Sequence, residues 1–333
     1  MSVPVPEYLS DFSNLTKLGL SYCGLYGTFP TKILQIPILK HLDVSWNPLL
    51  QGSVPEFPRI NSLKQLVLSS TNLSGNLPRS IGNLHQLEEL DLSSCRFTTC
   101  LEGPLSNSFF ELKSLVVLDL SFNRFNASIQ LEAFWKLENL TNLDLSYNKI
   151  DLEDNNSTLL PAKIARLRLA SCNLRNFPIQ GNQSRYAIAF SCSPYQQSVS
   201  VLDLHSNMLN GSIPILPNSV YLDYSNNSFA SMIPADIGNS LGLAVFFSAS
   251  ENCFSGNIPY SICQALNLQG LDLSHNNLNG AIPSCLFKLS SFLVILNLGG
   301  NKIQGQIPGN FTYDCVLQTF DLNGKCLKDS ESL

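Results

Sequence analysis

The chain has 333 residues, of which 44% are hydrophobic and 14% are charged, and its formal net charge is -5. The high apolar content and low charge favour a folded protein with a large core and argue against disorder. A mildly acidic chain lacks the basic surface of a nucleic-acid-binding protein, so nucleic acid is not expected as a partner.

The N-terminal residues MSVPVPEYLSDF contain no basic segment followed by an apolar run, which is the pattern of a signal peptide. No later stretch reaches the roughly 18 uncharged apolar residues that a membrane-spanning helix needs. We therefore expect neither a signal peptide nor a transmembrane helix in this sequence.

From residue 13 onward the pattern LxxLxLxxN recurs, and we call its last position the anchor. Most successive anchors are 24 or 25 residues apart, a period that is typical of leucine-rich repeats. Each repeat is expected to begin with a short strand, such as residues 271–273, whose leucines point into a shared core. The anchors are Cys23, Asn47, Thr71, Cys95, Asn123, Asn148, Cys172, Asn207, Asn227, Asn252, Asn276, Asn301 and Lys325.

One repeat cannot bury its leucines alone, so neighbouring repeats must stack. We therefore predict an α/β repeat solenoid, a right-handed superhelix of about 13 repeats with a parallel β-sheet on its concave face and little regular helix. Repeats 1–7 are assigned to residues 13–175 and repeats 8–13 to residues 199–327, followed by a tail at 328–333. Residues 176–198 carry no leucine pattern and are read as a loop-out or, preferably, as the scar of a lost repeat.

The anchor side chain is expected to turn inward and to satisfy backbone groups, because buried polar groups without partners are costly. Cysteine or threonine in this slot supplies only one donor, and Lys325 suits it poorly. The asparagines assigned to the slot are Asn47, Asn123, Asn148, Asn207, Asn227, Asn252, Asn276 and Asn301.

The second half of the repeat reads GxxP, as in LQGLDLSHNNLNGAIP (268–283) and LVILNLGGNKIQGQIP (293–308). Glycine permits a tight turn, and proline favours an extended or edge conformation. These segments resemble the plant-specific leucine-rich repeat LxxLxxLxLSxNxLSGxIP.

Longer phrases, such as VPVPEYLSDFSNLTKLGLSYCGLYGTFP and LDLHSNMLNGSIP, resemble the ectodomains of plant receptor-like proteins of the Verticillium-wilt-resistance and Cf type. The resemblance implies the extracellular side of the plasma membrane, immune recognition, and signalling through partner receptor kinases. Because the chain lacks the signal peptide, caps, membrane helix and tail of that family, a receptor fragment, a truncated non-signalling paralogue and an incomplete gene model are all open readings.

Sequons of the form Asn-x-Ser/Thr predict glycosylation in the secretory pathway. An asparagine- and serine-rich repeat also produces some sequons by chance. The sequon asparagines are Asn14, Asn72, Asn126, Asn139, Asn155, Asn156, Asn182, Asn210, Asn226 and Asn310.

Two columns of side chains are expected on the inner face of the sheet. Between the two leucines of LxL, an acidic column includes Asp43, Asp91, Asp119 and Asp144; it either attracts a basic or hydroxyl-rich ligand or reflects a common residue of the repeat. Directly before the anchor, Tyr22, Trp46, Phe122 and Tyr147 form either an aromatic contact patch or simple packing between repeats.

We predict a binding module with no catalytic or metal site and no cofactor, because the four histidines lie on separate repeats without a nucleophile or metal motif. The predicted ligand is a peptide, a protein or a glycan. A soluble inhibitor of a secreted microbial wall-degrading enzyme is the alternative. Cys23, Cys95 and Cys172 are expected to be buried thiols, and Cys95–Cys100 or Cys253–Cys263 to be candidate disulfides.

Overall fold

The computed structural model describes residues 3–94, 100–153, 160–177, 199–214, 216–288, 292–305, 307 and 315–324. The chain forms two compact units: unit 1 is Met1–Ile164 with Ser171–Asn173, and unit 2 is Ala165–Ala170 with Leu174–Leu333. Each unit is built from stacked coils, one coil for each repeat.

Unit 1 contains a parallel sheet, here called its main sheet, to which each coil contributes one strand of three residues. The central leucines are buried and pair in register from coil to coil, so Leu90 pairs with Leu118 although 28 residues separate them. The strands are Lys17–Gly19, His41–Asp43, Gln65–Val67, Glu89–Asp91, Val117–Asp119 and Asn142–Asp144.

The main sheet of unit 2 follows the same rule, with Leu167 paired to Leu202 across the 35-residue step. The strand expected at residues 271–273 begins one residue earlier, at Gly270. The strands are Arg166–Arg168, Val201–Asp203, Tyr221–Asp223, Phe246–Ser248, Gly270–Asp272, Ile295–Asn297 and Thr319–Asp321.

Smaller parallel sheets, here called second sheets, form from the half-repeat that follows the anchor. Their turns use glycine in the left-handed region, as at Gly27 with φ +78°. In unit 1 they are Val3–Pro4, Leu25–Thr28, Leu49–Gly52 and Asn72–Leu73, then Gly75–Asn76, Leu101–Gly103, Arg124–Gln130 and Lys149–Glu153; in unit 2 Asn210–Gly211 pairs with Ser228–Phe229, and Ser255–Asn257 pairs with Asn277–Asn279.

Among the described residues, helical structure occurs as single turns between the second sheets and the next main strand. Pro30, Pro78 and Pro259 are extended and each directly precedes a 3-10 turn, as expected for a residue with a fixed φ and no N–H to donate. The 3-10 turns are Glu7–Asp11, Thr31–Gln35, Arg79–Asn83, Asn107–Glu111 and Tyr260–Gln264, and the α-helical turns are Glu132–Trp135, Ile237–Ser240 and Cys285–Lys288.

The anchor asparagines join neighbouring coils through buried hydrogen bonds. Asn47 Nδ2 donates to the Leu20 carbonyl of the previous coil and to the Val44 carbonyl of its own coil, both at 2.8 Å. Its Oδ1 accepts the Leu25 N–H at 2.9 Å. The same donations, to one carbonyl of the preceding coil and to carbonyls of the residue's own coil, recur at Asn123, Asn148, Asn207, Asn227, Asn252, Asn276 and Asn301.

Other residues in the anchor slot use a hydroxyl or a thiol as the donor. Thr71 Oγ1 donates to the Leu68 carbonyl at 2.7 Å, and the buried Cys172 Sγ to the Leu145 carbonyl at 3.3 Å. The prediction that Cys23 is buried is wrong: it is exposed, and its coil carries Lys17–Gly19, the strand at the edge of the main sheet, which pairs only with the strand of the following coil. Cys95 and Lys325 lie outside the described residues.

The predicted leucine-rich-repeat solenoid, with its parallel sheet and little regular helix, is confirmed. The predicted domain boundaries stay a prediction, since residues 178–198 of the irregular segment and the whole 328–333 tail lie outside the described residues. Among the helices of the part that the structure describes, none has the length and apolar content to cross a membrane.

Candidate ligand-binding face

In unit 1, four aromatic side chains occupy the position directly before the anchor, here called the aromatic column. Tyr22 is 70% exposed, Trp46 41%, Phe122 48% and Tyr147 37%. Large apolar groups with this exposure on a rigid sheet are typical of interaction surfaces.

The backbone fixes where this column points. Each residue of the column adopts a positive φ, for example 57° at Tyr22 and 56° at Trp46. The turn is held from the next coil, since Tyr22 N–H donates to the Ser45 carbonyl at 3.1 Å and Trp46 N–H to the Ser69 carbonyl at 2.9 Å. The left-handed conformation costs a non-glycine residue about 1 to 2 kcal/mol, so the stacked backbone imposes it on whatever side chain stands there.

The four rings form two stacked pairs. Tyr22 and Trp46 have ring centroids 5.0 Å apart and an interplanar angle of 9°, and Phe122 and Tyr147 are 4.4 Å apart at 18°. Packing between coils therefore occurs within each pair, but the rings still expose their outer parts. Between the two pairs the column carries only serines, Ser70 and Ser94.

The aspartates of the acidic column hold their own turns. Asp43 Oδ1 accepts Ser45 N–H at 2.9 Å and Ser45 Oγ–H at 2.6 Å. Asp91 Oδ1 does the same for Ser93, and its Oδ2 accepts Ser69 Oγ–H at 2.7 Å. The same turn occurs at Asp119 and Asp144. This geometry favours the structural reading of the acidic column over a direct role in binding.

One carboxyl group of this column is hard to ionise. Burial raises the pKa of Asp119 from its ordinary 3.8 to about 6, and repulsion from Asp144 adds to the shift. Hydrogen bonds from Ser121 act in the opposite direction.

Unit 2 has a stacked pair that the sequence did not predict. Tyr221 and Phe246, at the first position of adjacent main strands, have centroids 4.8 Å apart at 14°. In the next strand Gly270 leaves room for Phe246, since a Cβ there would lie 2.8 Å from the Phe246 ring. A glycine beside a phenylalanine in neighbouring repeats was the signal that could have found this pair.

None of the described sequon asparagines of unit 1 occupies the position directly before the anchor. Asn126 is exposed in a second sheet, and Asn14 and Asn139 are exposed before main strands. Asn72 also belongs to a second sheet. In unit 2, Asn210 is in a second sheet, and Asn226 stands directly before the anchor Asn227 with a positive φ. Asn155, Asn156, Asn182 and Asn310 lie outside the described residues.

The cysteine pairing differs from one of the predicted alternatives. Cys263 pairs with Cys285, whose Cα atoms are 5.8 Å apart, so the Cys253–Cys263 prediction is wrong and Cys253 is a free thiol. The separation of 22 residues places the two cysteines at the same level of successive coils, whereas Cys253 precedes the second sheet of its own coil. Cys100 is disulfide-bonded.

Comparison with protein families matches two leucine-rich-repeat models. One matches residues 105–150, and the other matches residues 62–84, 86–111, 267–289 and 292–313. Among curated proteins, Receptor-like protein 18 of Arabidopsis thaliana is 33% identical over 305 residues, covering 83% of this chain and 33% of the relative. Receptor-like protein 6 of the same plant is 31% identical, covering 96% and 45%. The chain thus spans less than half the length of these relatives.

Solved structures with the same fold include plant receptors. A crystal structure of a TDR receptor aligns with a TM-score of 0.77 at 24% identity, covering 96% of this chain and 53% of that one. The Arabidopsis receptor kinase HAESA, in complex with the peptide hormone IDA and the co-receptor SERK1, aligns with a TM-score of 0.60 at 26% identity, covering 98% and 60%.

Proposed function

Because the chain belongs to the leucine-rich-repeat receptor-like proteins of plants, we propose that it is part of an extracellular recognition module and works by binding, not catalysis. Its ligand is an extended segment of a peptide or protein, held on the aromatic column of unit 1. The similarity to HAESA, whose structure contains a peptide hormone and a co-receptor, supports this ligand class and a receptor-kinase partner. The family resemblance extends the proposal to defence signalling at the plasma membrane.

The observation that carries the proposal is the pair of exposed stacks in unit 1. Tyr22 with Trp46, and Phe122 with Tyr147, present preformed apolar surfaces that lose little side-chain entropy when a ligand covers them. Aromatic anchors of this kind carry much of the binding energy at protein interfaces.

The spacing of the stacks suits an extended chain. Trp46 and Phe122 are three coils apart, which is about 14 Å at the usual strand spacing of about 4.8 Å. An extended peptide advances about 3.3 Å per residue, so roughly four residues span this distance. Ser70 and Ser94 leave the space between the stacks open to the middle of such a segment.

The described sequon asparagines of unit 1 stand at positions other than those of the aromatic and acidic columns. Asn126 and Asn72 belong to second sheets, and neither Asn14 nor Asn139 stands in the aromatic or acidic column. In this proposal, unit 1 carries both the binding face and the glycosylated asparagines.

The test uses peptides selected from a random display library on the wild-type protein, with affinities measured by calorimetry. Serine is the best ring-deleting residue, because the column already holds serine in this backbone conformation at Ser70. We expect Trp46→Ser or Tyr147→Ser to weaken binding by about thirtyfold, which corresponds to about 2 kcal/mol for an aromatic anchor.

The matched control is Tyr26→Ser, which removes an exposed ring from a second sheet. Peptides that bind this control and the two column variants with equal affinity would contradict the proposal. If the protein binds plant-wall oligosaccharides in place of peptides, and the two column variants lose that binding, the location of the binding face is supported but the peptide assignment is overturned.

A further inference from the structure

In unit 2, one coil carries a histidine at a position where most coils with a main-strand aspartate carry serine. Two residues after the aspartate of the main strand, that coil carries His205. In six other coils whose main strand ends in aspartate, the residue two positions after the aspartate is serine. These serines are Ser45, Ser93, Ser121, Ser146, Ser225 and Ser274. In most of these coils the serine hydroxyl donates to the aspartate Oδ1, for example at 2.6 Å from Ser225 to Asp223.

The histidine keeps a contact with its aspartate, and it places an imidazole ring where the other coils have a hydroxyl group. His205 Nδ1 lies 2.6 Å from Asp203 Oδ1. Asp223 stands beside Asp203 in register on the adjacent strand. One ring nitrogen of His205 and one carboxylate oxygen from each aspartate all lie within 4.8 Å of one another, and all three side chains are half-buried.

We propose that Asp203, His205 and Asp223 form a binding site for a divalent transition-metal ion, of which zinc is the best match. Imidazole nitrogen and carboxylate oxygen are both zinc ligands, whereas calcium and magnesium take oxygen ligands alone. Three protein ligands leave a fourth position on zinc, which water or a donor group of a bound partner fills.

Zinc binding requires a small local rearrangement. Two ligands on one tetrahedral zinc ion, at bonds of about 2.1 Å, are about 3.4 Å apart. The three donor atoms lie within 4.8 Å of one another, and the 2.6 Å contact between His205 Nδ1 and Asp203 Oδ1 must open if these two atoms bind the same ion. Tyr221, which donates to Asp223 Oδ2 at 3.3 Å and stacks on Phe246, lines the site. Its hydrogen bond to Asp223 fixes the orientation of that carboxylate, as hydrogen bonds from surrounding residues do for the ligands of metal sites.

Arg168 stands beside Asp203 in register on the other side. It supplies positive charge next to the cluster, so zinc must compete with a cationic side chain as well as with water. A purely ionic arrangement of Arg168, Asp203 and Asp223 is therefore the rival account, and it predicts no zinc binding.

The experiment titrates zinc chloride alone into the whole, tag-free chain at about pH 8, above the ordinary pKa of a free imidazole, with calorimetry as the readout. We expect one zinc ion per chain. His205→Ser restores the residue that the repeat uses elsewhere and preserves the aspartate turn, so the variant should fold, and we expect its zinc affinity to fall by about a hundredfold or more. His275→Ser removes a histidine that stands directly before the anchor Asn276, outside the proposed cluster, and should leave zinc affinity unchanged.

Cobalt provides a second readout, because its visible absorption reports coordination by the protein. We expect cobalt to give a spectrum in the wild-type chain and in His275→Ser, and none in His205→Ser. Absence of zinc binding in the wild type, equal binding in His205→Ser, or a site that prefers calcium to zinc would each overturn the proposal.

Discussion

Replacing the anchor Asn47 by alanine tests the physical account of how the coils are joined. Asn47 is fully buried and makes bonds to Leu20, Val44 and Leu25 at 2.8 to 2.9 Å. Alanine leaves the Leu25 N–H and the carbonyls of Leu20 and Val44 without this partner. The Ser45 carbonyl, a fourth contact, still accepts the Tyr22 N–H.

A buried polar group that loses its partner costs about 1 to 3 kcal/mol. Three such groups imply that the free energy of unfolding falls by about 3 to 5 kcal/mol. The cost of each group lies toward the low end of its range, because carbonyls near the edge of a coil can turn to water. Asn47→Thr should lose less, about 2 kcal/mol. At the same slot one coil later, Thr71 donates to the Leu68 carbonyl, the equivalent of Val44.

The assay is urea unfolding at equilibrium, followed by circular dichroism and by the fluorescence of the two tryptophans, of which Trp46 adjoins the substituted residue. Since a coil contacts only its neighbours, hydrogen exchange of the segment 17–28 serves as the local measurement and should accelerate most in Asn47→Ala. The reasoning is refuted if Asn47→Ala unfolds within about 1 kcal/mol of the wild type, or if threonine is no better than alanine.

Three further outcomes follow from the described residues. The pKa of Asp119 is raised to about 6 from an ordinary 3.8, so the folded state binds the proton of this carboxyl group more tightly than the unfolded state does. The resulting gain in folding stability is complete below about pH 4 and is lost as pH rises through 6, by up to about 3 kcal/mol. Asp119→Asn should remove that loss, and equal pH dependence of thermal unfolding in both proteins would contradict the prediction. Protein made through a secretory pathway should lose mass on deglycosylation, and Asn126→Gln should lower its mass by one glycan; an unchanged mass disproves use of that sequon. Cys285→Ser should lower stability by about 3 kcal/mol, from the 22-residue loop that the Cys263–Cys285 disulfide closes; unfolding as in the wild type under oxidising conditions would show that the bond does not form.

The main sheet could be predicted because its signal is local and repeated. The alternation LxL assigns each leucine to the core, and the anchor spacing sets the register, so the extra residues before Asn123 and Asn207 change neither. The second sheets could not be predicted in the same way. Their strands are as short as two residues, such as Asn72–Leu73, and they pair only because neighbouring coils stack.

The candidate face was predicted in part. The sequence located Tyr22 and Trp46 in one column, but their positive φ is imposed by the next coil against the preference of aromatic residues. The role of the aspartates was readable from the Asp-x-Ser spacing, because aspartate commonly accepts the N–H two residues onward. His205 interrupts that spacing, and its meaning needed the neighbouring strand, since Asp223 joins the cluster only through sheet pairing.

The location of the ligand on unit 1 is tested most directly by photocrosslinking. A benzoylphenylalanine placed at Ser94, in the space between the two aromatic stacks, is irradiated with a library-selected peptide bound, and the crosslinked mass is measured. The same group placed at Tyr26, on a second sheet, is the control. Crosslinking at Ser94 and none at Tyr26 is the predicted result; crosslinking at Tyr26 with none at Ser94 would contradict the assignment of the binding face.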